Sequence, residues 1–258
     1  MRLMNLIGAP TKLLKSEEAQ IFDPSHVSKA YLVNESAFDS TILSKLVLEK
    51  ISSLNIEIKF NSEVVGIQNV VEQGKSCVRV MTAAGENTAS DLGVLTTYGL
   101  DNIHANHDFS EDFLYEVCEL VKIQPLGELK NMAVTVVDGS YWSVTPWPSF
   151  DSHVLTHVKY TPHARFTKYY DAKDFLENSK NSRSEMMIRD SARYLPLISD
   201  SDILGSEYTI KTILRKRDHD DARPILVQRA GRLLSILGSK IDNVYEIDEV
   251  LDRFIRTV

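Results

Sequence analysis

The sequence has little cysteine, no long apolar run and no excess of positive charge. Its two cysteines, Cys77 and Cys118, stand far apart in 258 residues, which excludes a disulfide framework and is typical of a reducing compartment. No run approaches the roughly 20 apolar residues that a membrane-spanning helix needs. The segment Met1–Pro10 makes a poor signal peptide, because Asn5, Gly8 and Pro10 break its apolar run. We therefore expect a cytoplasmic protein with no membrane partner.

The charge balance excludes a further class of partner. The net charge is −7, and binding of phosphate backbones needs clustered positive charge, so nucleic acid is not expected as a main partner. A hydrophobic content of 43% and a charged content of 25% are those of an ordinary globular protein. The length allows one large domain or two modest ones.

Several familiar catalytic arrangements are also missing. No spacing argues for a Ser–His–Asp triad or a phosphate-binding P-loop, so no catalytic residue is assigned. His153 and His157 lie four residues apart on a predicted strand, which separates them by about 13 Å. One metal ion cannot bridge that distance, and we exclude a zinc site made by these two residues and His163.

The segment from Asp138 to His163 is the densest part of the sequence and holds both tryptophans. Asp138-Gly139 between two β-rich runs predicts a tight hairpin. Pro146 and Pro148 are expected to end its second strand, since proline cannot donate to a sheet ladder. A third strand is predicted from His153 to Tyr160. The aromatics and histidines of this sheet form either a wall of a binding site or ordinary core contacts, and both interpretations stay open.

The remaining periodicities predict a mixture of helices and strands. Asp39 is expected to cap a helix that ends near Ser53 and buries one apolar stripe. Residues 91–99 predict a buried parallel strand that ends in a turn of small residues. Residues 113–124 fit both a helix and a strand, and we favour a strand because the following elements are all strands. A short helix is predicted over 11–21.

Two constellations near the C-terminus could carry chemistry. A strand over Leu233–Leu237 leads to Gly238, Lys240 and Asn243, and then to a helix predicted from Val244 to Arg256. Glycine lets a ligand approach the backbone closely, and a helix N-terminus favours a partly negative group. The alternative is a plain loop.

The second constellation is the run from Asp220 to Pro224. Arg223 could grip a carboxylate with two parallel hydrogen bonds. The alternative is that Arg223 simply pairs with Asp220 or Asp221.

Four segments together resemble FAD-dependent oxidoreductases of the D-amino-acid oxidase-like superfamily: Thr135–Pro148, Tyr160–His163, Asp220–Ile225 and Gly238–Asn243. The resemblance implies a mixed α/β fold with a partial Rossmann-like FAD-binding domain, formed by residues 1–100 and 222–258. An antiparallel β-sheet domain for the substrate, residues 101–221, would be inserted between them. It also implies FAD as cofactor and a small-molecule substrate, oxidised at a C–N or C–O bond by hydride transfer to the flavin.

The resemblance also implies roles for particular residues. The helix predicted from Val244 would aim its N-terminus at the flavin C2 carbonyl. The residues expected near FAD are Val64, Val65, Thr97, Gly99, Gly238, Lys240 and Asn243. The residues expected near the substrate are Arg223, Tyr160, His163 and Trp142.

The sequence departs from the family in one respect. The family begins with a strand, a G-x-G-x-x-G turn and a helix that seat the pyrophosphate, whereas Gly8 is the only glycine before Gly66. We expect either a fragment, a split product or a product of an internal start, or a complementing chain that supplies this part. The missing strands would also expose apolar surface, which favours association into a homo-oligomer. A second hypothesis is a catalytically silent relative that acts as a binding module.

Overall fold

The computed structural model of the protein describes residues 10–100, 113–178, 181–215, 225–238 and 240–257. Its strands are, in chain order, β1 (Thr11–Leu13), β2 (Tyr31–Val33), β3 (Val64–Glu72), β4 (Lys75–Thr82), β5 (Asn87–Ser90), β6 (Gly93–Leu95), β7 (Phe113–Ile123), β8 (Val134–Val136), β9 (Trp142–Trp147), β10 (Ser152–His157), β11 (Pro162–Phe166), β12 (Ile203–Leu214), β13 (Leu226–Ala230) and β14 (Leu233–Leu237). Its α-helices are α1 (Ser40–Ser52), α2 (Tyr169–Asn178), α3 (Ser184–Ser191) and α4 (Asp248–Arg256). Short 3-10 helices cover Gly127–Leu129, Pro148–Phe150, Pro196–Asp200 and Ile241–Tyr245.

The chain divides into two compact units. The first unit comprises residues 1–56, 116–165 and 172–210, and the second comprises 57–115, 166–171 and 211–258. The expected division into a cofactor domain and an inserted substrate domain stays a prediction. Residues 1–56 group with the first unit, whereas that prediction placed them with the cofactor domain.

A six-stranded sheet dominates the first unit. Its order is β11-β7-β10-β9-β8, and β12 also pairs with β7. The pairs β7–β10, β10–β9 and β9–β8 are antiparallel. Side chains from this sheet, from α3 and from the segment that follows α3 form one buried core, which includes Ile123, Trp142, Leu155, Met187 and Leu195.

The strand favoured over residues 113–124 is confirmed as β7. Eight of its 11 residues are buried and the other three are half-buried, so both faces of the strand are covered. A helix at the surface would have kept one face in water, so the continuous burial belongs to a central strand.

The predicted hairpin at Asp138-Gly139 is present, but its turn is not tight. Val136 pairs with Trp142, so the loop runs from Val137 to Tyr141. Strand β9 also continues through Pro146 and ends before Pro148. Proline is tolerated there because β8 pairs only with the first half of β9, which leaves an open edge beside Pro146.

The second unit contains two three-stranded sheets, with the orders β3-β4-β5 and β13-β14-β6. Strands β6 and β14 pair in parallel, with Gly93 opposite Leu233. The predicted parallel pairing is therefore confirmed, but the strand covers only Gly93–Leu95, and its predicted burial is wrong for Val94, which is 45% exposed. Ile67 and Val78 of the first sheet and Leu95 and Leu233 of the second form a common core.

Helix α1 has the predicted position but not the predicted burial. The Asp39 carboxylate accepts hydrogen bonds from the backbone N–H groups of Thr41 and Ile42, which caps the helix. No residue of α1 is buried, and Ile42 and Leu46 are 54% and 57% exposed. The expected buried stripe was wrong for the described residues, because nothing among them packs over it.

Of two further sequence predictions, one is wrong and the other is confirmed. The short helix predicted over residues 11–21 is wrong, since Thr11–Leu13 forms a strand that pairs antiparallel with Tyr31–Val33. The mixed helix-and-sheet class, with several antiparallel sheets, is confirmed. Among the described residues, no helix is both long enough and apolar enough to cross a membrane.

Candidate functional site

The parallel pair of β6 and β14 brings several of the predicted cofactor residues to one edge. Both strands run in the same direction, so the segments that follow them leave from the same, carboxyl edge of the sheet. Thr97 and Gly99 follow β6, and Gly238 follows β14. Ligands of open α/β sheets bind outside the carboxyl ends of parallel strands, so this edge is the candidate cofactor site.

Local packing explains why glycine occupies two positions at this edge. Gly99 has φ +85°, and a Cβ there would lie 2.6 Å from Cγ2 of Thr212. A Cβ on Gly238 would lie 3.1 Å from the Cβ of Asn243. Packing and the positive φ therefore favour glycine strongly at position 99, whereas a side chain at position 238 would be tight against Asn243. Both glycines leave backbone rather than side chains at the edge.

Lys240 and Asn243 form a cap at the same edge. The backbone N–H of Lys240 donates to Oδ1 of Asn243 over 3.1 Å, and Asn243 is buried while Lys240 is exposed. This cap starts the 3-10 helix Ile241–Tyr245. Of this pair, only Lys240 presents an exposed side chain.

The helix predicted from Val244 begins later, at Asp248. Residues Ile241–Tyr245 form the capped 3-10 helix, so the α-helix begins only after them. Asp248 and Glu249 occupy the first turn of α4, and their carboxylates complement the positive end of the helix dipole. The first turn of α4 therefore already carries two negative charges, which argues against its aiming at the flavin C2 carbonyl.

Val64 and Val65 begin β3. The β3–β4 register shifts between Val64 and Gly66, so Val65 lies in a bulge and is 50% exposed. Val64 packs against the core of the second unit. A backbone contact from these residues to a ligand stays a prediction. Such β-bulges are often found next to active sites.

The predicted substrate residues of the first unit are mostly used in packing. Trp142 is 2% exposed, and its ring meets Tyr194 edge to face with centroids 6.3 Å apart. The ring of Tyr160 lies 4.7 Å from that of His157. These contacts favour the core interpretation of the aromatic hairpin, and a substrate role for Trp142 and Tyr160 stays a prediction. Arg223 lies outside the described residues.

His163 belongs to a buried network centred on Glu119. The Glu119 side chain is fully buried and accepts four hydrogen bonds. The hydroxyls of Ser182 and Ser206 each donate to Oε1 over 2.6 Å. The backbone N–H of Arg183 donates to Oε2 over 2.8 Å, and Nε2 of His163 lies 2.9 Å from Oε2. The network joins four segments that are distant in sequence.

The network sets the charge state of the carboxyl group. Burial by itself raises the pKa of Glu119, but the hydrogen bonds from Ser182, Ser206, the Arg183 N–H and His163 outweigh it and hold that pKa below its usual value. Burial and the neighbouring Glu119 charge raise the pKa of Tyr208. Glu119 is therefore an anion that its neighbours hold in place.

Sequence reasoning missed Glu119, although a signal was present. Glu116 and Glu119 interrupt an otherwise apolar strand pattern, and both are buried. A carboxylate in a buried strand requires partners, and Arg165 lies 2.6 Å from Glu116. The sequence indicated that partners were needed but not which residues they were.

His153 and His157 are also core residues. Nδ1 of His157 accepts the Lys159 backbone N–H over 3.1 Å, and Nε2 lies 2.9 Å from Asp190, which fixes the neutral tautomer with the proton on Nε2. Burial lowers the pKa of His153 and of His157. Within the part of the chain that the structure describes, no group of three His, Cys, Asp or Glu side chains could hold a metal ion.

Comparison with known proteins places the fold. No protein-family model matches the sequence, and no curated protein matches it significantly. Among solved structures, glycine oxidase from Geobacillus kaustophilus matches with a TM-score of 0.63 and 16% identity, over 94% of this chain and 61% of that one. A modified fructosyl peptide oxidase from Aspergillus nidulans matches with a TM-score of 0.65 and 12% identity, over 95% and 62%. Iminodiacetate oxidase from Chelativorans sp. matches with a TM-score of 0.60 and 12% identity, over 91% and 59%.

The chain shares its mixed helix-and-sheet fold with these three oxidases. The resemblance drawn from the sequence motifs is thereby confirmed at the level of the fold. The chain spans about three fifths of the length of these oxidases.

Proposed function

We propose that this chain forms the substrate side and part of the FAD site of a flavin-dependent oxidoreductase, which oxidises a C–N bond of a small molecule. The supporting observation is the shared fold over 94% of the chain with a glycine oxidase. The named substrates of the three similar oxidases, glycine, fructosyl peptides and iminodiacetate, all carry an amine nitrogen. That common feature favours a C–N bond over a C–O bond.

The candidate edge supports FAD as the cofactor. Its parallel strands, its glycine turns and the exposed Lys240 fit a ligand that is approached by backbone N–H groups and one cation. FAD supplies the electron acceptor for the oxidation. The chain's own part is to hold the dinucleotide through Thr97, Gly99, Gly238 and Lys240. Arg223 is proposed to bind an anionic group of the substrate.

We also propose that a further polypeptide segment completes the site. In the described residues, β6 lies at the end of its sheet, with β14 on one side only. Val94 on β6 is 45% exposed, which is unusual for an apolar residue of a parallel strand. The segment could come from another chain or from a second copy of this one.

Anaerobic reduction of the bound flavin tests the oxidoreductase proposal. The purified protein is incubated with excess FAD, desalted and mixed without oxygen with glycine, sarcosine or iminodiacetate. We expect bleaching of the flavin absorbance by at least one such amine, and no bleaching by 2-hydroxy acids. A protein that takes up FAD but is bleached by none of them would contradict C–N oxidation.

The same experiment addresses the alternative of a silent binding module. A colourless protein that takes up no FAD would favour that alternative. Light scattering during size-exclusion chromatography gives the mass of the particle, which separates a homo-oligomer from a chain that awaits a different partner.

A further inference from the structure

The two faces of the six-stranded sheet differ in what they contact. Successive side chains of a strand point to opposite faces, and the side chains of Trp142, Val144 and Leu155 on β9 and β10 lie in the core shared with α3. Trp147 on β9 and Ser152 on β10 have the opposite parity, so they lie on the other face. They are directly opposite one another in the β9–β10 register, which places their Cβ atoms about 5 Å apart.

Both of these residues carry a buried polar atom without a partner. Among the described residues, neither Nε1 of Trp147 nor Oγ of Ser152 has a hydrogen-bond partner, and both atoms are buried. Ser152 as a whole is 4% exposed. An indole N–H can only donate, whereas a serine hydroxyl can donate and accept. A buried donor that the chain leaves unpaired needs a partner from outside, such as water, an ion or a ligand. Two neighbouring donors therefore require an acceptor group that reaches both.

A positive charge lies beside these donors on the same face. Lys122 on β7 is opposite Val154, which follows Ser152 by two residues on β10 and therefore shares its face. The Lys122 ammonium lies 5.8 Å from the ring centre of Phe150, and the centre of that ring lies 4.3 Å from the centre of the Trp147 ring. Two donors and a cation favour an acceptor that carries negative charge.

The present partner of Lys122 can be replaced. The Lys122 ammonium lies 2.7 Å from Oε1 of Glu207 on β12, and the Glu207 side chain is 54% exposed. An ion pair with one partner in water contributes little stability, so another carboxylate can take the place of Glu207. Phe150 covers the Trp147 ring but is 52% exposed. Because exposed side chains change rotamer within nanoseconds, movement of the Phe150 ring opens the indole to a ligand.

We propose that Trp147, Ser152 and Lys122 form a binding site for a small carboxylate ligand, on the face of the sheet opposite the core. The carboxylate oxygens accept hydrogen bonds from the Trp147 Nε1–H and the Ser152 hydroxyl, and Lys122 balances the negative charge. The proposal rests neither on the flavin chemistry nor on Arg223.

The indole N–H signals provide the test, because the chain has only two tryptophans. Protein labelled with 15N-tryptophan is titrated with acetate and, separately, with acetamide, the neutral analogue of similar shape. Trp147→Phe identifies the Trp147 signal, and Trp142, which is 2% exposed in the core, is the internal reference. We expect acetate to shift the Trp147 signal with saturation and to leave the Trp142 signal unchanged. Acetamide should bind about tenfold more weakly, because it lacks the charge.

Four variants separate the contributions to the site. Ser152→Ala removes one donor and should weaken acetate binding by about three- to tenfold. Lys122→Met keeps the aliphatic stem and should remove the preference for acetate over acetamide. Glu207→Gln removes the competing carboxylate and should strengthen acetate binding. Lys173→Met removes an exposed charge from α2, which changes the net charge as Lys122→Met does, and should leave the affinity unchanged.

Three results would overturn the proposed site. A Trp147 signal that acetate does not shift would mean that water alone satisfies the two donors. Equal binding of acetate and acetamide by the unmodified protein would contradict a carboxylate site. A loss of affinity in Lys173→Met as large as that in Lys122→Met would show that acetate responds only to the net charge. The first two results need no variant, so they hold even where a substitution impairs folding.

Discussion

Removal of the buried Glu119 carboxylate should be among the most destabilising single changes in the first unit. Glu119→Leu leaves the Arg183 N–H and His163 without their acceptor, and each buried donor left unpaired costs about 1–3 kcal/mol. The hydroxyls of Ser182 and Ser206 can turn to other partners; Ser182 already lies 2.9 Å from the Ser184 hydroxyl. We expect a loss of about 3–5 kcal/mol in the free energy of unfolding, as when a buried ionic network is broken.

Glu119→Gln should cost less, about 1–2 kcal/mol. The amide oxygen can still accept from the Arg183 N–H and His163, while its NH2 group donates to the serine hydroxyls, which accept as well as donate. What is lost is the extra strength of hydrogen bonds to a charged acceptor. The predicted order of stability is therefore Glu, then Gln, then Leu.

Urea denaturation followed by tryptophan fluorescence measures this directly. Both tryptophans of the chain, Trp142 and Trp147, lie in the first unit with Glu119, so the signal reports unfolding of that unit. Glu177→Gln on the exposed side of α2 serves as control and should change stability by less than about 0.5 kcal/mol. Equal stability of Glu119→Leu and the unmodified protein, or an equal loss for Gln and Leu, would refute the reasoning.

Three further predictions concern pH, a cap and a turn. Burial lowers the pKa of His153 and His157, so the unfolded chain binds protons more readily than the folded one. The free energy of unfolding should therefore fall as the pH drops below about 6.5. Denaturation curves that do not shift between pH 8 and pH 5 would contradict this. The Asp39 carboxylate caps α1 and also accepts a hydrogen bond from the Ser149 N–H over 2.7 Å. Asp39→Ala should therefore speed hydrogen exchange of the Ser149 amide and of the amides in the first turn of α1. Exchange equal to that of the unmodified protein would argue against the cap. The side-chain amide of Asn69 forms hydrogen bonds with the β13–β14 turn. Asn69→Ala should destabilise the second unit by about 1–3 kcal/mol, measured as faster hydrogen exchange of the β14 amides. Unchanged exchange there would show that the turn is stable without Asn69.

Local signals in the sequence predicted local structure well. Asp39 was identified as a helix cap, and α1 begins at the next residue. Strand β14 has the predicted bounds Leu233–Leu237. These features depend on a few neighbouring residues, such as a capping carboxylate or an unbroken apolar run between turns.

Features that depend on distant partners could not be predicted from the sequence. The apolar stripe of α1 has helical spacing, but spacing does not show what packs against it. Strand β9 passes Pro146 because its neighbour β8 is short, which the local sequence does not reveal. Four segments meet at Glu119, and the pairing of β7 with β10, β11 and β12 decides which side chains reach it.

The candidate cofactor edge was predictable only in part, because some of its features are local and others depend on distant residues. The glycine turns after β6 and β14 were visible as sequence patterns, and the resemblance suggested their role. The Thr212 and Tyr115 hydroxyls that hold the first turn come from other strands, 114 residues from Tyr98 and 16 residues from Gly99, so only the fold brings them to this turn.

Titration of the purified protein with FAD, followed by quenching of flavin fluorescence with ADP as competitor, tests the central claim most directly. The account predicts saturable binding that ADP displaces, because FAD contains the ADP group and the edge beyond β6 and β14 is proposed to contact the dinucleotide. Gly238→Val should weaken this binding, since a branched side chain would press on Asn243. Saturable binding of FAD that ADP does not displace, or no binding at all, would contradict the account.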